Sequence, residues 1–267
     1  MPYRILFSDI DGTLLDHNRE LSALTKSEIQ RIKANTPFIL ISSRMPSAMY
    51  HLQEELGITD QPLICYNGGL VLVDNKPIHS TFIAPEIIEQ LHAQNHKNPI
   101  HISLYHNDDW YVPEMDYWAN REMNNTKVTP VVKNTMDVIN DWKNKNKGAH
   151  KIMCMGEEKY IDATYEFLEQ NFNDSLHLYR SKSTYIEVAD KSISKLTAIE
   201  LLLEQKFNVP ITEAVAFGDN YNDIEMIKAV GLGVAVANAK PETLEVADAV
   251  TKAGKEDGVA IFIKNNF

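Results

Sequence analysis

The sequence predicts an α/β fold, and three observations carry the prediction. Short apolar, β-branched runs end in polar residues at 4–9 (RILFSD), 38–43 (FILISS), 62–67 (PLICYN) and 214–219 (AVAFGD). Continuous rather than alternating apolar runs belong to parallel strands buried on both faces. Stretches of helical period lie between them, which is the order of a parallel sheet wrapped by helices. The middle of the chain reads differently and points to a second domain.

Taken in order, the first strand is followed by helical period over 24–34, the strand at 38–43, a helix over 46–56 and the strand at 62–67. From 82 to 185 lie all three tryptophans (Trp110, Trp118, Trp142), an Asn-rich stretch between Asn120 and Asn146, and alternating strands at 101–106 (HISLYH) and 184–188 (TYIEV). Alternation predicts an antiparallel sheet with one polar face turned to solvent or substrate. Beyond it come a helix over 194–207, the strand at 214–219 and helices over 224–230 and 242–247. Pro46 and Pro241 stand at first-turn positions, where a missing N–H costs nothing. The expected organisation is a core of 1–81 and 186–267, with an α+β domain of 82–185 inserted into it.

Composition narrows the classes of function. At 267 residues, 44% hydrophobic and 24% charged, the chain is an ordinary globular one, neither disordered nor fibrous. Lys and Arg number 26 against 37 Asp and Glu, a net charge of −11. Such a balance argues against nucleic acid or an anionic membrane as partner. Any anionic substrate would need a local device to overcome the field. Cys65 and Cys154 lie far apart in apolar runs with no C-x-x-C spacing, which fits a reducing compartment. With no apolar leader at the start and no run of ~18 apolar residues, the expectation is a soluble, cytoplasmic protein.

The strongest local signal is FSDIDGTLL at 7–15. In a strand, residues i and i+2 point the same way, so Asp9 and Asp11 converge while Ile10 packs inward. Two carboxylates ~4 Å apart repel by about 4 kcal/mol at an effective dielectric of 20. Such a pair at the carboxyl end of a strand, where α/β sheets bind ligands, asks for a divalent cation. A second acidic cluster, Asp219, Asn222 and Asp223, follows the strand at 214–219, and converging oxygen donors at a helix start suit Mg²⁺.

Asp9-x-Asp11-Gly12-Thr13, Ser42 after the second strand, Lys195 on a helix and Gly218-Asp219-x-x-Asn222-Asp223, in that order, resemble the four motifs of the haloacid dehalogenase (HAD) superfamily. The likeness is closest to Cof-type sugar-phosphate phosphatases, which Asn67-Gly68-Gly69, Asn238-Ala239-x-Pro241-Glu242 and Asp257-Gly258-Val259-Ala260 also resemble. The resemblance covers nearly the whole chain and implies a doubly wound HAD-like core. An extra domain fits only the long gap between Ser42 and Lys195, which in that superfamily is a C2 cap, here similar to the C2B subtype.

The resemblance further implies a Mg²⁺-dependent phosphatase acting on a small phosphorylated metabolite. Asp9 would be the nucleophile, Asp11 the acid and base, and Lys195 the cation that neutralises phosphoryl oxygens. Mg²⁺ would be held by Asp9, the Asp11 carbonyl and Asp219, with Asp223 and Asn222 in support. Ser42, Ser43, Arg44, Asn67, Asn222 and Lys195 are the expected substrate-binding residues. To act as an acid near neutrality, Asp11 needs a pKa above its usual ~3.9. Two departures stand out: Ser43 and Leu196 occupy positions where the subgroup commonly has glycine. The competing readings are a phosphotransferase or phosphomutase of the same superfamily, and a non-enzymatic receiver-like module phosphorylated on aspartate. His92 and His96, four apart without a third ligand, read as surface histidines.

Overall fold

The computed structural model describes residues 3–267, except for the side chain of Ser181. The chain begins with β1 (Ile5–Ser8), α1 (Ala23–Ile32), β2 (Phe38–Ile41), α2 (Ser47–Leu56), β3 (Leu63–Cys65), β4 (Leu70–Val73) and β5 (Lys76–Ser80). Next come α3 (Pro85–Asn95), β6 (His101–His106), β7 (Asp109–Val112), α4 (Tyr117–Thr126), β8 (Val131–Val132), α5 (Thr135–Lys145), β9 (Lys151–Met155), α6 (Glu158–Phe172), β10 (Leu176–Lys182) and β11 (Tyr185–Asp190). It closes with α7 (Lys195–Leu202), β12 (Ala214–Gly218), α8 (Ile224–Ala229), β13 (Leu232–Val236), α9 (Pro241–Val246), β14 (Ala249–Thr251) and α10 (Gly258–Asn266).

Two compact units result, each with its own sheet. One takes the chain up to Arg44, Met49–His79 and Ser194–Phe267; the other takes Met45–Ala48 and Ser80–Ile193. The expected boundary at 185/186 therefore falls inside β11, which stays paired with β9 and β10. A strand bound on both sides belongs with its partners, so the insertion runs on to Ile193. Residues 1 and 2 of the expected 1–81 segment lie outside the described residues.

In the first unit the strand order is β14-β13-β12-β1-β2-β3-β4-β5. The pairs from β14 to β3 are parallel, whereas β3 and β4 are antiparallel. Every residue of β1, β2, β3 and β12 is buried, as continuous apolar runs demand. Ile5, Phe7, Ile39, Ile41, Ile64 and Ala216 pack with Ile199 and Leu202 of α7 on one face. From β1 the chain winds outward through β2 and β3, whereas β12 pairs on the other side of β1 and winds the opposite way. Strand order thus reverses between β1 and β12, and ligands of open α/β sheets bind at the carboxyl ends of strands at such a point.

The second unit is a six-stranded sheet in the order β10-β11-β9-β6-β7-β8, antiparallel except between β7 and β8. Ile102, Leu104, Ile152, Cys154, Ile186 and Val188 face Ile88, Leu91, Ile139, Trp142, Ile161 and Leu168 of α3, α5 and α6. Of the two expected alternatives for the polar face, solvent or substrate, solvent does not apply at the central strand, because all six residues of β6 are buried. His101 is bonded to Ser103 Oγ (2.9 Å) and to Asp116 (2.9 Å), the residue that caps α4. Alternation marks two faces of a strand; it does not say that the polar one is wet.

Two more buried histidines have their protons assigned by their neighbours. His150 Nδ1 accepts from the Asn107 backbone N–H (3.1 Å) and its Nε2 bonds Ser80 Oγ (3.0 Å). His106 Nδ1 donates to the Gly148 carbonyl (2.7 Å), with the ring 5.0 Å from that of His150. Burial holds the His106 pKa below its usual value of 6.5. A histidine depressed in the folded state leaves stability intact above the unfolded pKa and removes it as pH falls. The melting temperature is therefore expected to drop between about pH 6.5 and 5, and His106→Gln to flatten that drop in a pH series of thermal melts. An unchanged slope in the variant would assign the acid sensitivity elsewhere.

Candidate active site

Asp9 follows β1 directly and its backbone N–H donates to the Phe217 carbonyl of β12 (3.0 Å), so the pairing of these strands sets its place. Gly12 turns the chain at φ +93°, and a Cβ there would collide with the Asp219 carboxylate. Only glycine combines that backbone with that proximity. Thr13, fully buried, donates its hydroxyl to Asp219 Oδ1 (3.0 Å) and ties the two strand ends together.

Lys195 is the first residue of α7, whose start is fixed by a capping box between Ser194 and Thr197. Gly68, at φ +107°, lets the loop after β3 lie against the Ser194 carbonyl, where a Cβ would not fit. The ammonium is wholly buried and donates to Asp9 Oδ1 (2.5 Å) and Asp223 Oδ1 (2.5 Å). Burial and the positive end of the helix both oppose a cation here. Asp223 and Asp9 more than offset burial, and the Lys195 pKa stays raised.

Three carboxylates share this space. An oxygen from each of Asp9, Asp219 and Asp223 lies within 4.8 Å of the others. Burial, reinforced by the charges of Asp223 and Asp219, lifts the Asp9 pKa well above the ordinary carboxylate range despite Lys195. Burial and Asp223 raise Asp219 to about 6. One ammonium does not neutralise three acids, so the cluster carries surplus negative charge. A hard divalent cation with oxygen ligands fits that donor set. Asp223 is the least free of the three: its Oδ2 accepts the backbone N–H of Asp219 (2.8 Å) and Asn220 (3.0 Å). It anchors Lys195 and folds the loop that presents Asp219.

The Asp11 carboxylate is not part of this cluster. Arg44 grips it with Nε to Oδ2 (2.7 Å) and Nη2 to Oδ1 (2.7 Å), and Arg19 Nη2 reaches Oδ1 (2.8 Å). Burial would raise its pKa, but the hydrogen bond and charge of Arg44, with Arg19, hold it below its ordinary value of 3.8. The raised value that the acid step requires is absent from this arrangement, because two guanidinium groups stabilise the ionised form. Arg44 thereby meets Asp11 as its partner.

Ser42 is buried at the end of β2, its Oγ accepting from the Arg44 N–H (3.3 Å), while Ser43 is half-buried. The Asn67 N–H donates to the Ser42 carbonyl (2.9 Å), and Asn67 Oδ1 accepts from Asn222 Nδ2 (3.0 Å). These two residues, 155 apart in sequence, thus link the loops after β3 and β12. Leu196, in place of a common glycine, packs against the apolar core. Asn238 supports the Asp11–Thr13 turn, donating to the Gly12 carbonyl (2.9 Å) and accepting from the Gly254 N–H (2.8 Å). The parts played by Thr13 and Arg19 were not legible in sequence. Arg19 lies in a polar turn that nothing in the local pattern distinguishes.

A family profile described as haloacid dehalogenase-like hydrolase matches residues 6–263. The chain belongs to this family. As an HAD-like hydrolase of the Cof type, it is an enzyme of the phosphatase class. It is 33% identical over its whole length to a Haemophilus influenzae protein provisionally named as a phosphatase, covering 99% of that relative. It is 26% identical, over 100% of its length and 98% of the relative's, to the 5-amino-6-(5-phospho-D-ribitylamino)uracil phosphatase YitU of Bacillus subtilis. Its fold matches a crystal structure of a haloacid dehalogenase-like hydrolase from Bacteroides thetaiotaomicron with a TM-score of 0.89 and 24% identity, covering 99% of this chain and 100% of that one.

Proposed function

We propose that this HAD-like enzyme hydrolyses the phosphate monoester of a small polyol or sugar metabolite by way of an aspartyl-phosphate on Asp9, with Mg²⁺ bound. The observation that carries the reading is the burial of Asp9 against Lys195 at the strand-order reversal, beside Asp219. The relative named for a ribityl 5-phosphate supports a terminal phosphate on a polyol chain as the substrate class.

A dianionic phosphate resists an anionic nucleophile, so neutralising charge is the central task. Lys195 sits where it can follow charge from Asp9 to the phosphoryl oxygens, and the Ser42 hydroxyl is a further donor at the neighbouring strand end. Asp9, Asp219 and the Asp11 carbonyl would hold Mg²⁺, with Asp223 supporting them, and the ion would supply further positive charge. Asp9 would attack phosphorus while Asp11 protonates the departing alkoxide and then takes a proton from the water that attacks the aspartyl-phosphate. This role requires the contacts of Asp11 with Arg44 and Arg19, which hold it ionised, to be broken first. The insertion of 80–193 would act as the cap that supplies leaving-group contacts. A cytoplasmic place fits two buried cysteines that form no disulfide with each other, and among the described residues no helix is long and apolar enough to cross a membrane.

A phosphate-release screen over hexose, pentose, polyol, nucleotide and vitamin phosphates tests the reading. Release is expected to cease in chelator, return with Mg²⁺ and stay low with Ca²⁺, which is larger and favours more ligands. Full activity in chelator would remove the metal from the reaction. Transfer of phosphate to added alcohols in preference to water would make the enzyme a phosphotransferase.

A further inference from the structure

The sheet of the inserted unit turns one face to α3, α5 and α6, and strand register fixes what the other face carries. Leu104, Ile152 and Ile186 pack with the helices, so their neighbours in sequence point away. On that second face Tyr105 of β6 stands opposite Trp110 of β7 on one side and Lys151 of β9 on the other, while Glu187 of β11 stands opposite Met153 of β9. The Trp110 and Tyr105 rings stack with centroids 5.6 Å apart and planes 9° from parallel, and Lys151 Nζ lies 4.7 Å from the Tyr105 centroid. The Tyr105 hydroxyl is hydrogen-bonded to Ser103, Ser103 to His101, and His101 to the Asp116 carboxylate that caps α4. A row of indole, phenol and ammonium is thus held in place by a buried polar chain.

One group in the row is unsatisfied. Trp110 is 2% exposed, and its indole Nε1, shut off from solvent, has no acceptor among the described residues. A buried tryptophan ordinarily finds a partner for its N–H, because an unpaired donor costs stability that phenylalanine in the same stack would not. Packing therefore accounts for the ring but not for the N–H, which suits an acceptor brought from outside the chain. The surroundings define the chemistry of that acceptor. Burial, with the charges of Glu122 and Glu187, pushes the Tyr105 pKa well above its usual 10, so two carboxylates stand near the one ammonium. A second phosphate or a carboxylate is disfavoured there, whereas neutral hydroxyls are not.

We propose that Trp110 sets specificity for a hydroxyl-rich leaving group: its indole N–H donates to a hydroxyl of the polyol or sugar that carries the phosphate. This deepens the phosphatase reading given above and rests on it. Lys151 can donate to further hydroxyls and Glu187 can accept from them, which is the pattern of a small-molecule site with an aromatic floor and a few placed polar groups. Both side chains are half-buried, so solutes reach this face beside β6.

The test begins with a nuclear magnetic resonance titration of the isotope-labelled full chain. Its three tryptophans give three indole N–H cross-peaks, and the one missing from Trp110→Phe belongs to Trp110. That cross-peak should move on addition of ribitol or glucitol and stay in place with propanol. Kinetics with Mg²⁺ follow. Trp110→Phe keeps the aromatic stack, so its kcat/KM for phenyl phosphate should match the parent, which also shows that it folds. For the sugar or polyol phosphate that the parent hydrolyses best, KM should rise about tenfold with kcat little changed, as the loss of one hydrogen bond to the substrate requires. A cross-peak unmoved by both polyols, an unchanged KM for that substrate, or equal losses on phenyl phosphate would overturn the proposal and leave the phosphatase reading intact. If the parent releases no phosphate from any ester, the phosphatase reading falls whatever the titration shows, and the claim of a leaving group falls with it.

Discussion

Asp9→Asn is expected to lower turnover by at least about a thousandfold, because it removes the attacking carboxylate while keeping its shape. Loss of activity alone would also follow from misfolding, so stability is the second half of the prediction. In the cation-free protein Asp9 is one of three carboxylates around one ammonium, and its raised pKa means that the folded state disfavours its charge. Asparagine removes a negative charge from that cluster and leaves Lys195 paired with Asp223. The variant should therefore melt at or above the parental temperature in chelator. Added Mg²⁺ should stabilise it less than it stabilises the parent, since one ligand charge is gone. Retention of more than a few per cent of activity would sink the covalent route.

Lys195→Met is expected to have the largest effect on stability. Removing one partner from a buried ion pair costs about 3–5 kcal/mol, because the surviving charge is left without compensation. Here two carboxylates, Asp9 and Asp223, lose their partner together. For a protein of this size the loss corresponds to a fall of roughly 10 °C in melting temperature. Activity should vanish as well, since no other cation among the described residues donates to Asp9. Mg²⁺ should recover part of the lost stability by neutralising the same carboxylates, and thermal melts with and without the ion would show it. A melt unchanged from the parent would mean that Lys195 contributes no net stabilisation to the cluster.

Much of the fold was legible because each signal was local. The runs at 4–9, 38–43, 62–67 and 214–219 hold β1, β2, β3 and β12, and the helical period over 194–207 covers α7 and the π-wound turn at Leu203–Phe207 that prolongs it. The polar face of β6 is not solvated, because His101 is satisfied by Asp116, 15 residues away. The insertion boundary was misplaced because β11 is held by strands that only the folded sheet brings beside it.

The candidate site divides along the same line. Motif order and strand-end position, both properties of the linear chain, singled out Asp9, Ser42, Lys195, Asp219 and Asp223. Asp9, Ser42 and Asp219 each follow directly on a buried strand, β1, β2 and β12, so they stand at the carboxyl ends of the parallel sheet where such sheets bind ligands. What those side chains do to one another depends on distances that no local pattern encodes. Lys195 reaches Asp9 across 186 positions and Thr13 reaches Asp219 across 206. Asp11 was expected to need a raised pKa, whereas Arg44 and Arg19 hold it down. Side-chain type and spacing therefore determined which groups gather at the ends of β1 and β12. Packing of the whole chain alone decided their partners, and with them their charge, because electrostatic interaction depends on separation in space and on burial, not on separation along the sequence.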